Sequence, residues 1–197
     1  MKGVYVFLAE GFEDIEALAT VDVLRRGGVD VTTVSVTDDL VVTSSHGISV
    51  CADMAAAEFL NELDGQDASF HGLSVESDFL VFPGGMPGTK NLAATPWLME
   101  LMNEHYAAGG SLAAICAAPG FVLSQLEGIR GVRFTAYDGC ETPSVEAGGI
   151  YVREGVVRDG LIITGRGAGW AVPFGLEILA AIKGPEKAAA VKAALML

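Results

Sequence analysis

The residues best suited to covalent chemistry lie in Ala113-Ala114-Ile115-Cys116-Ala117-Ala118-Pro119, where an apolar run delivers a cysteine into alanines and a proline. A nucleophile on a sharp strand-to-helix turn needs small neighbours, because the strained backbone leaves no room for side chains. A helix starting near Pro119 would aim its N-terminus at the sulfur, which favours thiolate and lowers the thiol pKa. The same pattern also fits a buried, inert thiol, as free cysteine often is.

Glu10-Gly11-Phe12-Glu13-Asp14-Ile15-Glu16 is the second group. Glu10, Glu13 and Asp14 read as acids that complement a helix N-terminus. Glu16 sits between Ile15 and the apolar Ala17-Leu18-Ala19, so it is expected to face inward, where burial raises a carboxyl pKa. Pro83-Gly84-Gly85-Met86-Pro87-Gly88 is a backbone with little side-chain cover that can present N–H groups to an oxyanion, or simply reverse the chain. Its continuation Thr89-Lys90 has the wrong order for a phosphate-binding loop, and Gly165-Arg166-Gly167-Ala168-Gly169-Trp170 places tryptophan where a dinucleotide fingerprint needs its third glycine. Cys51, Cys116, Cys140, His46, His71 and His105 show no metal-ligand spacing, so no metal is expected. His105, among polar residues of a helical pattern, reads as a solvated histidine.

These residues must be held by elements that the apolar pattern locates. Val4–Ala9, Phe79–Phe82 and Ser111–Ile115 are short continuous apolar runs, the signature of strands buried on both faces. Val29–Val36 returns to strand after a helix over Asp14–Arg26, which Gly27-Gly28 ends. Leu40–Thr43 and Gly47–Cys51 flank a turn as a small hairpin. Helices are expected over Met54–Leu63, Pro96–Ala108, Pro119–Leu126, Trp170–Ile182 and Glu186–Leu195. Strands are expected over Val132–Thr135, Ile150–Val152, Val156–Val157 and Leu161–Thr164. Asn61–Asp78 reads as a long irregular connection. The alternation predicts an α/β fold, a doubly wound and mostly parallel sheet sandwiched by helices, in one domain over residues 1–197. Ligands of such sheets sit outside the carboxyl ends of the strands, where all the groups above fall.

Composition narrows the function. Twelve Lys+Arg against 25 Asp+Glu give a formal charge of −13, which repels nucleic acid and anionic membranes. Three cysteines imply no disulfide framework. No run approaches the ~20 apolar residues of a membrane span. The N-terminal apolar run is too short for a secretory leader. A cytoplasmic protein with no nucleic-acid or membrane partner is expected.

Phe7 to Glu16, Val21 to Gly28, Ser45-His46-Gly47-Ile48, Phe82-Pro83-Gly84-Gly85, Ala114 to Pro119 and Asp159 to Thr164 together resemble the ThiJ/PfpI superfamily, in its Parkinsonism-associated deglycase branch. The resemblance runs nearly the whole chain in order. It implies a flavodoxin-like sandwich that forms a homodimer, with no cofactor. Cys116 would be the nucleophile or oxidation site, Glu16 its protonated partner acid, and the Gly85 and Ala117 amides the oxyanion donors. Arg26 and His46 match positions near the pocket and the dimer interface, and Cys51 a second cysteine near that interface. The chain departs from the pattern in two places. Ala117 stands where peptide-hydrolysing members carry histidine, which argues against a protease. Tyr137, or Asp138 if the gap shifts, stands where deglycase and glyoxalase members often place histidine. The implied activity is glyoxalase- or deglycase-like, on small reactive dicarbonyls or early glycation adducts. The alternative is a redox sensor or oxidative-stress chaperone that works through cysteine sulfinate. A thiazole-phosphate role finds no phosphate loop to support it.

Overall fold

The computed structural model describes residues 3–64 and 78–197. The chain runs β1 (Val4–Leu8), α1 (Asp14–Arg26), β2 (Val31–Ser35), β3 (Val41–Thr43), β4 (Ser49–Cys51), α2 (Ala56–Asp64), β5 (Phe79–Phe82), α3 (Gly88–Ala93), α4 (Pro96–Ala107), β6 (Ser111–Ile115), α5 (Ala118–Phe121), β7 (Arg133–Phe134), α6 (Thr142–Glu146), β8 (Ile150–Tyr151), β9 (Val156–Asp159), β10 (Ile162–Gly165), α7 (Ala171–Lys183) and α8 (Pro185–Ala194). Six strands form the main sheet in the order β2-β1-β5-β6-β10-β9. All its pairings are parallel except β10 with the edge strand β9. Every residue of β1, β5 and β6 is buried, which explains their unbroken apolar sequences. β3 and β4 form the expected hairpin, and β7 and β8 a short parallel pair.

Two cores clothe the sheet. On one face Val6, Leu8, Val81 and Ile115 pack against Val21 and Leu24 of α1 and Phe174 and Ile178 of α7. On the other, Phe7, Phe82 and Ala114 pack against Phe59 of α2 and Leu98 and Met102 of α4. Burying each such large side chain stabilises the fold by roughly 1.5–3 kcal/mol before chain entropy is counted.

Several expectations need correction. The helix expected over Pro119–Leu126 is a single α turn, α5, followed by a 3-10 turn over Leu123–Gln125. Helices α3 and α6 occupy stretches with no clear apolar period. α2 extends into the segment expected to be irregular from Asn61; the remainder of that segment, residues 65–77 with His71, lies outside the described residues. His105 is buried, not solvated: it is 2% exposed and its Nε2 lies 3.2 Å from the Ser111 carbonyl. The missing side chain of Gly110 makes the room, since a Cβ there would sit 2.2 Å from the imidazole. Desolvation pushes the His105 pKa below its usual value.

Candidate active site

The site assembles at the carboxyl ends of β1, β5 and β6. Glu16 enters from the first turn of α1, which Glu13 caps by accepting the Glu16 N–H at 2.7 Å. Cys116 enters directly after β6. Because β5 lies between β1 and β6, these two side chains can meet only above the end of β5, and that is where Gly84 falls. A Cβ on Gly84 would come within 2.5 Å of both the Cys116 Cβ and the Glu16 Oε2. The glycine is therefore a steric requirement of the pair. Gly85 follows with φ +93° and no space for a side chain against Glu13 and Gly11, which turns its amide toward the sulfur.

Cys116 has φ +65°, in the left-handed region that costs a non-glycine residue energy. The strain is held by backbone bonds on both sides. The Cys116 N–H donates to Gly165 O at 2.9 Å, and its carbonyl accepts the Tyr137 N–H at 2.7 Å. The Gly85 and Ala117 amides both point at the sulfur and favour its charged form. These are the donors expected for an oxyanion on an adduct at Cys116.

Glu16 is 1% exposed and faces inward as expected, although Ile15 and Leu18 beside it are exposed. Its Oε2 accepts the Gly84 N–H at 2.9 Å, while Oε1 is buried without a hydrogen-bonded partner among the described residues. Burial pushes the Glu16 carboxyl up to about 7, only partly opposed by its contacts with Cys116 and Gly84. Burial first and the Glu16 charge second push the Cys116 thiol up to about 12. The thiol lowering expected from a helix N-terminus is outweighed by that burial and by the Glu16 charge, and α5, four residues long, offers little dipole against them. Cys116 and Glu16 form one coupled acid. Losing a second proton would place two negative charges in contact, so the pair holds one proton between them from about neutral pH into strong alkali.

The remaining expected residues divide. Tyr137 joins the pair: with Gly85, Met86, Cys116, Ala117 and Cys140 it lines a cavity of about 220 Å³. Asp138 turns away and accepts from Arg153 at 2.6 Å, from Arg166 at 2.7 and 2.8 Å and from the Tyr151 hydroxyl at 3.2 Å. Its carboxyl is held below the usual range chiefly by Arg166. Within this chain Arg26 does not join the pair; it bonds Asp22 at 2.6 Å on the exposed face of α1. His46 is exposed on the β3–β4 turn, 3.1 Å from Asp14 Oδ1. Glu13, Asp14 and His46 have ligand atoms within 4.8 Å of one another, a grouping their spacing did not reveal. Glu13 is committed to its cap and Asp14 to His46. Sequence reading marked Gly84 and Met86 within the Pro83–Gly88 loop but missed Cys140 at the pocket. It also missed a neighbouring cavity of about 530 Å³ lined by Tyr137, Asp138, Trp170 and the Arg166–Gly169 segment. The glycines after β10 were the available signal for the latter.

Known proteins place the chain. The DJ-1/PfpI family model matches residues 2–181. The Danio rerio Parkinson disease protein 7 homolog is 33% identical over all of this chain and 97% of its own length. The Caenorhabditis elegans protein named glutathione-independent glyoxalase DJR-1.2 is 32% identical over 90% of this chain and 87% of its own. Arabidopsis thaliana protein DJ-1 homolog A is 33% identical across the whole chain, which spans 47% of that longer protein. Drosophila melanogaster DJ-1beta superposes with a TM-score of 0.85 at 30% identity, covering 100% of this chain and 98% of the other. No helix among the described residues is long and apolar enough to cross a membrane. The chain belongs to the DJ-1/PfpI family and falls in its DJ-1 branch.

Proposed function

We propose that this chain is a glyoxalase- or deglycase-type enzyme acting on small reactive dicarbonyls or their early adducts through Cys116 and Glu16. The observation that carries the reading is a buried carboxyl, with one oxygen unpartnered, facing a strained cysteine beneath two convergent amides. The glyoxalase name of one relative supports it.

The Cys116 sulfur adds to the aldehyde carbon of a 2-oxo aldehyde, and the thiol proton passes to the carbonyl oxygen, giving a hemithioacetal. The Gly85 and Ala117 amides steady that oxygen while it carries charge. Glu16, as carboxylate, takes the proton from the former aldehyde carbon and returns it to the adjacent carbon, while the hydroxyl proton passes from the first oxygen to the second through the enediol. The product is a 2-hydroxy thioester. Water then cleaves the thioester to the 2-hydroxy acid and restores the thiol. A carboxyl with a pKa of about 7 suits this shuttle, because both of its forms are present near neutral pH. Tyr137 flanks the cavity where related enzymes place a histidine.

Conversion of methylglyoxal to lactate without added thiol tests the proposal. Cys116→Ser and Glu16→Gln should each lose at least about 100-fold in rate. Unchanged turnover by Cys116→Ser would remove the mechanism.

The same reading has the chain pair as a homodimer, with Arg25, Arg26, His46 and Cys51 near the interface. Exposed Ile15 and Leu18 on α1 and Leu40, Val41 and Ile48 around the hairpin supply apolar surface for it. Light scattering that reports only monomer at micromolar concentration would refute the pairing.

A further inference from the structure

Nothing in the spacing of the three cysteines singles out Cys140. The fold does. Cys140 lines the same small cavity as Cys116, and among the described residues no charged side chain lines it with them. Two hydrogen bonds tie the segments together: Tyr137 N–H donates to Cys116 O at 2.7 Å, and Cys140 N–H donates back to Tyr137 O at 2.8 Å. The second bond closes a turn that folds Cys140 toward the elbow. The Cys140 carbonyl also lies against Gly120, where a Cβ would approach it to 1.7 Å. A glycine at residue 120 therefore lets the cysteine-bearing turn seat on α5. Gly139, with φ +93° and open space around it, leaves that turn a point of rotation. Cys51, by contrast, is exposed on β4.

We infer that Cys140 is the resolving thiol for Cys116, so that a hydroperoxide converts the two into an intrachain disulfide before Cys116 can be carried on to sulfinate. The inference rests on Cys116 being the reactive thiol of the site, and not on the dicarbonyl chemistry. In the first step the Cys116 sulfur attacks a hydroperoxide; the O–O bond breaks, the sulfur becomes a sulfenic acid and an alcohol or water leaves. In the second, the Cys140 sulfur attacks that sulfenic sulfur; the S–S bond forms, the S–O bond breaks, and the hydroxyl leaves as water with the Cys140 proton. A second hydroperoxide, which would otherwise make sulfinate, competes with this step. A thiol partner in the same cavity has the advantage of proximity. An external thiol reverses the disulfide, whereas sulfinate is not reversed by thiols. The pair thereby gives the site a recoverable oxidised state.

Intact-mass and peptide-mapping spectrometry of the full chain after limiting hydrogen peroxide tests this. The untreated protein has three free thiols. The wild type is expected to become about 2 Da lighter, keep Cys51 alkylatable, yield a linked Cys116–Cys140 peptide and recover with dithiothreitol. Cys51→Ser should behave likewise. Cys140→Ser and Cys140→Ala are expected to become about 32 Da heavier at Cys116, without recovery. Sulfinate forming as readily in the wild type as in both Cys140 variants would overturn the inference. So would a disulfide that joins Cys116 to Cys51 or to another chain. Cys116 remaining unmodified in every protein would overturn it together with the reactive-cysteine reading beneath it, whereas loss of methylglyoxal turnover alone would leave it standing.

Discussion

Replacing Glu16 by Gln isolates the cost of keeping an acid in this site. Gln retains an acceptor for the Gly84 N–H and a donor toward Cys116, but it cannot ionise. The Glu16 carboxyl is raised from 4.5 to about 7 in the folded chain. At 1.36 kcal/mol per pKa unit, that displacement corresponds to about 3 kcal/mol. The sign follows from proton counting. Between the two values the folded chain holds a proton that the unfolded chain has released, so stability falls as pH rises through this window. Below about pH 4.5 both states are protonated and the cost vanishes; above about pH 7 it is paid in full. Glu16→Gln should therefore gain on wild type by about 3 kcal/mol between acid and mildly alkaline solution, or roughly 6–12 °C in Tm for a domain of this size. Urea or thermal unfolding of both proteins across that range measures it, and taking the difference cancels the titrating groups not coupled to Glu16, leaving Glu16 and its partner Cys116. A difference that did not change with pH would show that Glu16 ionises normally, and the coupled pair would be wrong.

Other outcomes follow from the same geometry. Gly84→Ala pushes a methyl into both members of the pair and should cost about 1–3 kcal/mol, with loss of Cys116 reactivity, seen by thermal unfolding and alkylation. His105→Leu should weaken the acid sensitivity of the fold. The wild-type imidazole has a lowered pKa, so the stability it carries at neutral pH is lost as pH falls below about 6.5 toward the folded value. Unfolding at neutral and acid pH checks this as a smaller acid loss in the variant. Asp138→Asn leaves Arg153 and Arg166 without their shared carboxylate; because these groups are largely exposed, thermal unfolding should show little change.

Most of the scaffold was legible because parallel strands buried on both faces must be apolar at every position, as Val4–Leu8, Phe79–Phe82 and Ser111–Ile115 are. α3 and α6 were not, since six and five residues are too few to display a helical period. His105 was misread for a related reason: its neighbours in sequence are polar, but the space it fills is left by Gly110, which belongs to the following turn. The inward placement of Glu16 was legible, though not for the expected reason: Ile15 and Leu18 beside it are exposed, and it shares the buried face of α1 with Thr20 and Val23. The role of Gly84 was not, because it depends on β5 lying between the strands that carry Cys116 and Glu16. The thiol's upward displacement was also hidden. It comes from burial and from the Glu16 charge, which depend on how distant segments pack and not on the residues beside Cys116.

Ionisation of Cys116 and Glu16 as one unit is tested most directly by the pH profile of Cys116 alkylation. The first proton to leave the pair makes some thiolate whichever atom loses it more often, so the rate must follow that first ionisation. Wild type should show an inflection at about pH 7. In Glu16→Gln and Glu16→Ala that inflection should disappear and reactivity should rise only in alkaline solution, at lower pH for Gln, which can still donate to the sulfur. A wild-type profile with no step near neutrality, or one that both variants reproduce, would contradict the account.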